Sequence, residues 1–235
     1  MLASVLNNPA EPVEWGANNP GMQSKTLLTG WRKVAARRLW RFSSKVACVI
    51  SWGLSKLGTH KQIANRVTEP YAHIQTIVTA TDFENFFCLR AHKDAQPEFK
   101  YLAFLMLRAY IESTPKSLEV GQWHLPFADK YIPEGLTEAQ LLKITTARCA
   151  RVSYANFEGD IDFQKDYKLH DSLLENGHMS PFEHAARCED SLVCSGNLRG
   201  FTQYRKLFHN ECRTLSMSEA KVLLEQWLAE MGVTA

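Results

Sequence analysis

The sequence predicts an α+β protein in which helices outweigh strands. Three observations carry that expectation. Helical periodicity runs through long stretches, most clearly Thr29–Leu57, Gln96–Glu112 and Asp162–Glu175. A β-branched run, Ile74 to Thr79, lies within Ala72–Ala80 and predicts a strand. Helix-start signals recur as Thr81-Asp-Phe-Glu84, Thr137-Glu-Ala-Gln140 and Ser180-Pro-Phe-Glu183, each a capping box with the acid or amide three residues on. The expected organisation is an extended segment over residues 1–24, a main domain over 25–215 and an amphipathic helix over 216–235.

In chain order, Pro9, Pro12, Pro20, Gly16 and Gly21 make the first 24 residues loop-like, with no room for more than a few residues of helix or strand. The Thr29–Leu57 helix carries an apolar stripe of Trp31, Val34, Ala35, Leu39, Phe42, Val46, Val49 and Ile50, and Gly58 ends it. His60–Val67 is a short helix stopped before Pro70. Asp82–Ala91 follows the first capping box, with Phe83, Phe86 and Phe87 as its core face. On the next helix Leu102, Leu105, Met106, Ala109 and Tyr110 are core by spacing. Residues 115–133 form a connection with one short strand near Gln122–Leu125, and a helix runs from the Thr137 cap through Ala147–Tyr154. Ser195-Gly-Asn197 is a turn. Leu198–Lys206 is expected to be helical, and Ser216–Met231 is an amphipathic helix.

The net charge of +2 conceals an asymmetry. Trp15 to Thr68 contains ten Lys or Arg and no acid, leaving 17 basic against 25 acidic residues elsewhere. Such a surface attracts nucleotides, nucleic acid or an acidic face of a partner subunit. A basic helix with tryptophans can lie on nucleic acid, but a solvated outer face is the simpler account. Six cysteines without a Cys-x-x-Cys pair, and no signal peptide, suggest a reduced cytoplasmic setting. No apolar run can span a bilayer, so no membrane partner is expected. No hydrolase or P-loop signature is present. The spacing of His178, His184 and Cys188 is a poor match to zinc ligation, so no metal is expected.

Asn176-Gly-His-Met-Ser-Pro-Phe-Glu-His184 is the most informative stretch. Gly177 suits the left-handed residue that closes a helix, and Ser180-Pro181 opens another with Glu183 at the third position. His178 thus falls in a joint beside free N–H groups, a corner that suits an anion or a polar ring edge. Ser-Pro-Phe-Glu is equally complete as a helix start with no ligand.

Together with Ala147-Arg-Cys-Ala-Arg-Val-Ser-Tyr154, this stretch resembles the paired motif of flavin-dependent thymidylate synthases. Asn65-Arg66-Val-Thr-Glu-Pro70, Val78-Thr-Ala-Thr81 and Asn85-Phe-Phe-Cys-Leu-Arg90-Ala-His-Lys-Asp-Ala-Gln96-Pro-Glu98 resemble that family's nucleotide-binding half. Here that half precedes the motif, the order of a circularly permuted branch. The matching pieces cover roughly residues 60–206. The resemblance implies a mixed or antiparallel sheet core with long flanking helices, a homotetramer, and reductive methylation of dUMP to dTMP. Methylenetetrahydrofolate and NADPH would be co-substrates and FAD the cofactor. Arg66, Arg90, Gln203 and Arg205 would contact dUMP; His178, Ser180, Glu183, Asn85 and Ser153 would contact FAD. Arg199 resembles part of the helix leading into the family's substrate loop. No protein nucleophile is needed.

One departure stands out. The family signature R-H-R-x-x-S-x-N-x-x-S-x-R is not in the chain, and Gln203-Tyr-Arg205 keeps only a trace of it. In permuted relatives the signature would precede Met1, so either a truncation or a loss of part of the substrate loop is expected. Two rivals follow: a catalytically degenerate relative that binds nucleotide or flavin, and a basic nucleic-acid-binding protein.

Overall fold

The computed structural model describes residues 2–21, 24–128, 135–152, 162–212 and 214–232. Helices dominate, with small antiparallel sheets, consistent with the α+β class. The chain forms two compact units, Met1–Thr76 with Asp82–Lys116, and Ile77–Thr81 with Ser117–Ala235.

The first unit is helical: α1 (Leu2–Asn7), α2 (Gly30–Lys56), α3 (Lys61–Arg66), α4 (Glu84–Arg90) and α5 (Pro97–Glu112). α1 corrects the loop expected at the N-terminus; its Val5 is buried and so stabilises a six-residue helix that propensity alone would not. α2 packs on α1 and α3 through a face of small residues, Ser44, Ala47, Cys48 and Ser51. Small side chains at spacings of three and four let the neighbouring helices approach closely. The segment after α1 is strapped to α2 by Trp40, whose indole donates to the Ala10 carbonyl at 2.8 Å and packs edge-on against Trp15 and Tyr71. Glu11 sits between Arg37 and Arg41, which hold its carboxyl below the usual range although burial pushes it up.

The apolar stripe of α2 is present but faces outward: Trp31 is 76% exposed, Phe42 65% and Val49 66%. α5 likewise buries only Ala103, so Leu102, Leu105 and Tyr110 are exposed rather than core. Periodicity identifies which side chains share a face but not what covers it. α4 meets α5 through rings, with Phe87 5.8 Å from Phe83 and 5.9 Å from Tyr110.

The second unit carries β1 (Trp123–His124), α6 (Glu138–Arg151), α7 (Phe163–Glu175), β2 (Ala186–Cys188), β3 (Cys194–Ser195), β4 (Leu198–Arg199), β5 (Phe201–Gln203) and α8 (Met217–Glu230). β1, β2 and β5 form an antiparallel sheet in that order, with Trp123 opposite Arg187 and Ala186 opposite Gln203. β3 and β4 form a hairpin. The helix expected over Leu198–Lys206 is therefore two strands and a 3-10 turn. Gly196 (φ +58°) and Gly200 (φ +76°) adopt left-handed backbone that a helix does not contain.

The strand expected over 72–80 is likewise absent. Its β-branched residues find no continuous strand partner; Thr81 N–H donates to the Asn197 carbonyl at 3.1 Å. The box at Thr81–Glu84 does not form either. The Thr81 hydroxyl accepts from Arg199 N–H instead, and α4 begins at Glu84 without a side-chain cap. The box at Thr137 forms as expected, and the structure adds one at Ser216, closed by Glu219.

The core of this unit is Leu142, Met179, Phe182, Ala185 and Tyr204, flanked by Trp123, Leu173, Leu174 and Phe208. Phe182 is fully buried, and its ring lies 4.9 Å from His170, 5.8 Å from Tyr204 and 5.5 Å from Phe208. Phe182→Ala is expected to cost about 3–5 kcal/mol of unfolding free energy by urea denaturation. A loss under about 1 kcal/mol would show that the ring cluster does not organise the unit.

Candidate functional site

The site in the second unit is built on the turn after α7. Gly177 (φ +69°) donates its N–H to the Leu174 carbonyl, and His178 N–H donates to Leu173 at 2.9 Å. This paired closure fixes the backbone of His178 and leaves its side chain exposed. The segment then makes a single 3-10 turn, Ser180–Glu183, with no side-chain cap. The capping box expected there is absent, and a 3-10 turn stands in place of the helix whose dipole was expected to favour an anion. The chain leaves the turn into β2 within a few residues, and Tyr204 N–H donates to the Ala185 carbonyl at 2.8 Å.

The turn divides its side chains sharply. Met179, Pro181, Phe182 and His184 are buried, whereas His178 and Ser180 are exposed and Glu183 is intermediate. Neither the His178 ring nor the Ser180 hydroxyl has a hydrogen-bonding partner among the described residues. His184 Nδ1 lies 3.0 Å from the Thr79 hydroxyl. Burial pushes the His184 ring below its ordinary range, against the opposing pull of the Glu183 carboxylate.

Glu183 is held from behind. Its Oε2 accepts from Arg205 Nη1 at 3.0 Å, and its carbonyl accepts from Gln203 Nε2 at 3.1 Å. Gln203 is buried, and its backbone N–H donates to the Ser195 hydroxyl at 3.1 Å. The tight Gly196 turn closes over this amide; a Cβ on Gly196 would come within 2.9 Å of it. Arg205 is also paired with Glu211, Nε to Oε1 at 3.3 Å, and Glu211 with Lys206. Of the residues expected to contact dUMP, Gln203 and Arg205 are thus engaged in fixing Glu183.

In the first unit Arg66 ends α3 and Arg90 ends α4, both exposed. The Arg90 guanidinium lies 5.8 Å over the Phe99 ring. Neither arginine has an ion-pair partner among the described residues, an arrangement open to an anion. Asn85 is exposed on the first turn of α4. Ser153 lies outside the described residues, as does Tyr154. Among the described residues no cluster of His, Cys, Asp or Glu could hold a metal. Burial pushes the Cys149 thiol up to about 12, far from a reactive thiolate.

Sequence reasoning missed several members of this arrangement. Ser195 and Glu211 carry no motif, though the Ser-Gly-Asn turn marked the place where the chain doubles back. The contact of Thr79 with His184 spans 105 residues and has no local signal. His170 falls on the face of α7 that carries Leu173 and Leu174, and it is buried there between Asp171, at 2.8 Å from Nδ1, and Tyr204, at 3.4 Å from Nε2. Burial pushes His170 below 6.5 and outweighs the opposing pull of Asp171. An imidazole depressed in the folded state binds its proton more readily when unfolded. Its stabilising contribution is therefore complete above about pH 6.5 and is lost as pH falls through the folded value. Melting temperature should decline on going from about pH 7.5 to 5.5, and His170→Gln should flatten part of that decline; an unchanged slope would remove His170 from the account.

No family model matches the chain, and no curated protein or solved structure matches it either.

Proposed function

We propose that this chain is a flavin-dependent thymidylate synthase-like protein that binds FAD and dUMP. The observation that carries the proposal is the division of side chains in the His178–His184 motif. Its apolar members are buried as anchors, while His178 and Ser180 stand exposed beside a braced Glu183. A plain helix start needs no such division, and the capping box expected of it is not formed.

The residues fit the proposed ligands unequally. His178 and Ser180 offer unpartnered polar groups to a flavin, whereas Asn85, in the first unit, and Ser153 are carried by the motif alone. Arg66 and Arg90 offer guanidinium groups that suit a phosphate and a planar carbonyl edge. Gln203 and Arg205 serve better as positioning residues, because their polar atoms already hold Glu183. FAD, reduced by NADPH, would supply the reducing equivalents for converting a methylene group from methylenetetrahydrofolate into the methyl of dTMP. The protein's part is to orient the nucleotide and supply fixed charge. A homotetramer and a cytoplasmic setting belong to the same proposal; no helix among the described residues is long and apolar enough to cross a membrane. A relative that binds these ligands without turnover is the second reading, favoured by the engagement of Gln203 and Arg205 with Glu183.

Calorimetric titration with dUMP in excess FAD tests the proposal. Arg90→Lys should weaken dUMP binding by more than about 1 kcal/mol, since an ammonium cannot reproduce a guanidinium fork. Undetectable dUMP binding by the wild type, with salt-sensitive retention on DNA instead, would replace the proposal by the nucleic-acid alternative.

A further inference from the structure

Two helices expose apolar stripes with complementary charged edges. On α2 the outward stripe includes Val46, Val49 and Ile50, 40–66% exposed, with Gly53 leaving open space among them. Lys45 and Lys56 border it and make no ion pair among the described residues. Lys56 lies 5.7 Å over the Trp52 ring. α8 buries none of its residues. Leu223, Leu224, Trp227 and Met231 share one face at helical spacing and are 52–62% exposed. Glu219 and Glu230 border that face on one side.

The edges match in spacing as well as sign. Lys45 to Lys56 and Glu219 to Glu230 are each eleven residues apart, close to three turns and about 16 Å of rise. An antiparallel α8 laid along α2 can pair Lys45 with Glu230 and Lys56 with Glu219 while the two stripes meet. At 14 residues α8 spans about 21 Å and covers roughly half of the 27-residue α2. A second α2 is a poorer occupant, because α2 contains no acid and like charges would face each other.

We propose that α8 of a second copy of this chain docks on the outward face of α2. This does not rest on the nucleotide and flavin assignment, because it uses neither ligand nor the motif.

Sedimentation of the full chain, wild type and two variants, tests it. Val49→Glu on α2 and Trp227→Glu on α8 alter exposed side chains, so each should fold with the wild-type circular dichroism and, at concentrations too low for association, the wild-type melting temperature. The wild type should self-associate, and each variant should raise the apparent dissociation constant at least about tenfold. An equimolar mixture of the two should regain association, because one supplies an intact α8 and the other an intact α2. A monomeric wild type, a variant that associates normally, or a mixture that regains nothing would overturn the proposal. So would a monomeric wild type that instead binds anionic lipid vesicles or DNA. Should either variant fail to fold, the charge exchange decides. Lys45→Glu and Glu230→Lys should each weaken association, and the double variant should recover it; no recovery would overturn the pairing.

Discussion

Burial of the Phe182 ring is the constraint on which the motif's arrangement depends. It packs among His170, Tyr204 and Phe208, side chains from α7, the 3-10 turn after β5 and the segment that follows. With that ring fixed, the short turn around it has little freedom. Met179 and Pro181 are buried beside it, and the intervening polar side chains must point outward. The tight closure of α7 at Gly177 fixes one end of the turn, and the Tyr204 bond to the Ala185 carbonyl fixes the other. Apolar burial thus does the positioning that a polar site requires.

A second layer restrains the one acidic residue. Glu183 is fixed through its carboxylate by Arg205 and through its carbonyl by Gln203, and Gly196 keeps the Gln203 amide enclosed. The basic residues near the motif are therefore largely spent on structure. In the other unit, Arg66 and Arg90 have no acidic partner among the described residues. This contrast is the physical basis for treating Gln203 and Arg205 as positioning residues and Arg66 and Arg90 as the proposed nucleotide contacts, a division the resemblance does not make.

Local signals were the most legible. Gly177 as a left-handed helix end, the capping box at Thr137 and the extent of α2 are set by residues within one or two turns, and the sequence displays them directly. The same four-residue pattern at Ser180 predicted a box that does not form, because tertiary bonding draws the chain into β2 after one turn. At Leu198–Lys206 the spacing of polar residues suggested a helix, whereas positive φ at Gly196 and Gly200 imposes a hairpin. Which face of a helix is buried was not legible. On α2 the small residues pack and the large ones face out, the reverse of an ordinary amphipathic helix.

The central claim is that His178 and Ser180 are held outward for a flavin rather than as incidental turn residues. Titration of the full chain with FAD, followed by flavin fluorescence, tests it most directly when wild type and His178→Ala are compared alongside their ligand-free melting temperatures. The predicted result is saturable binding by the wild type, weakened at least about tenfold in the variant, with ligand-free melting temperatures that agree. Equal FAD affinity in both proteins, or no saturable binding by the wild type, would contradict the claim.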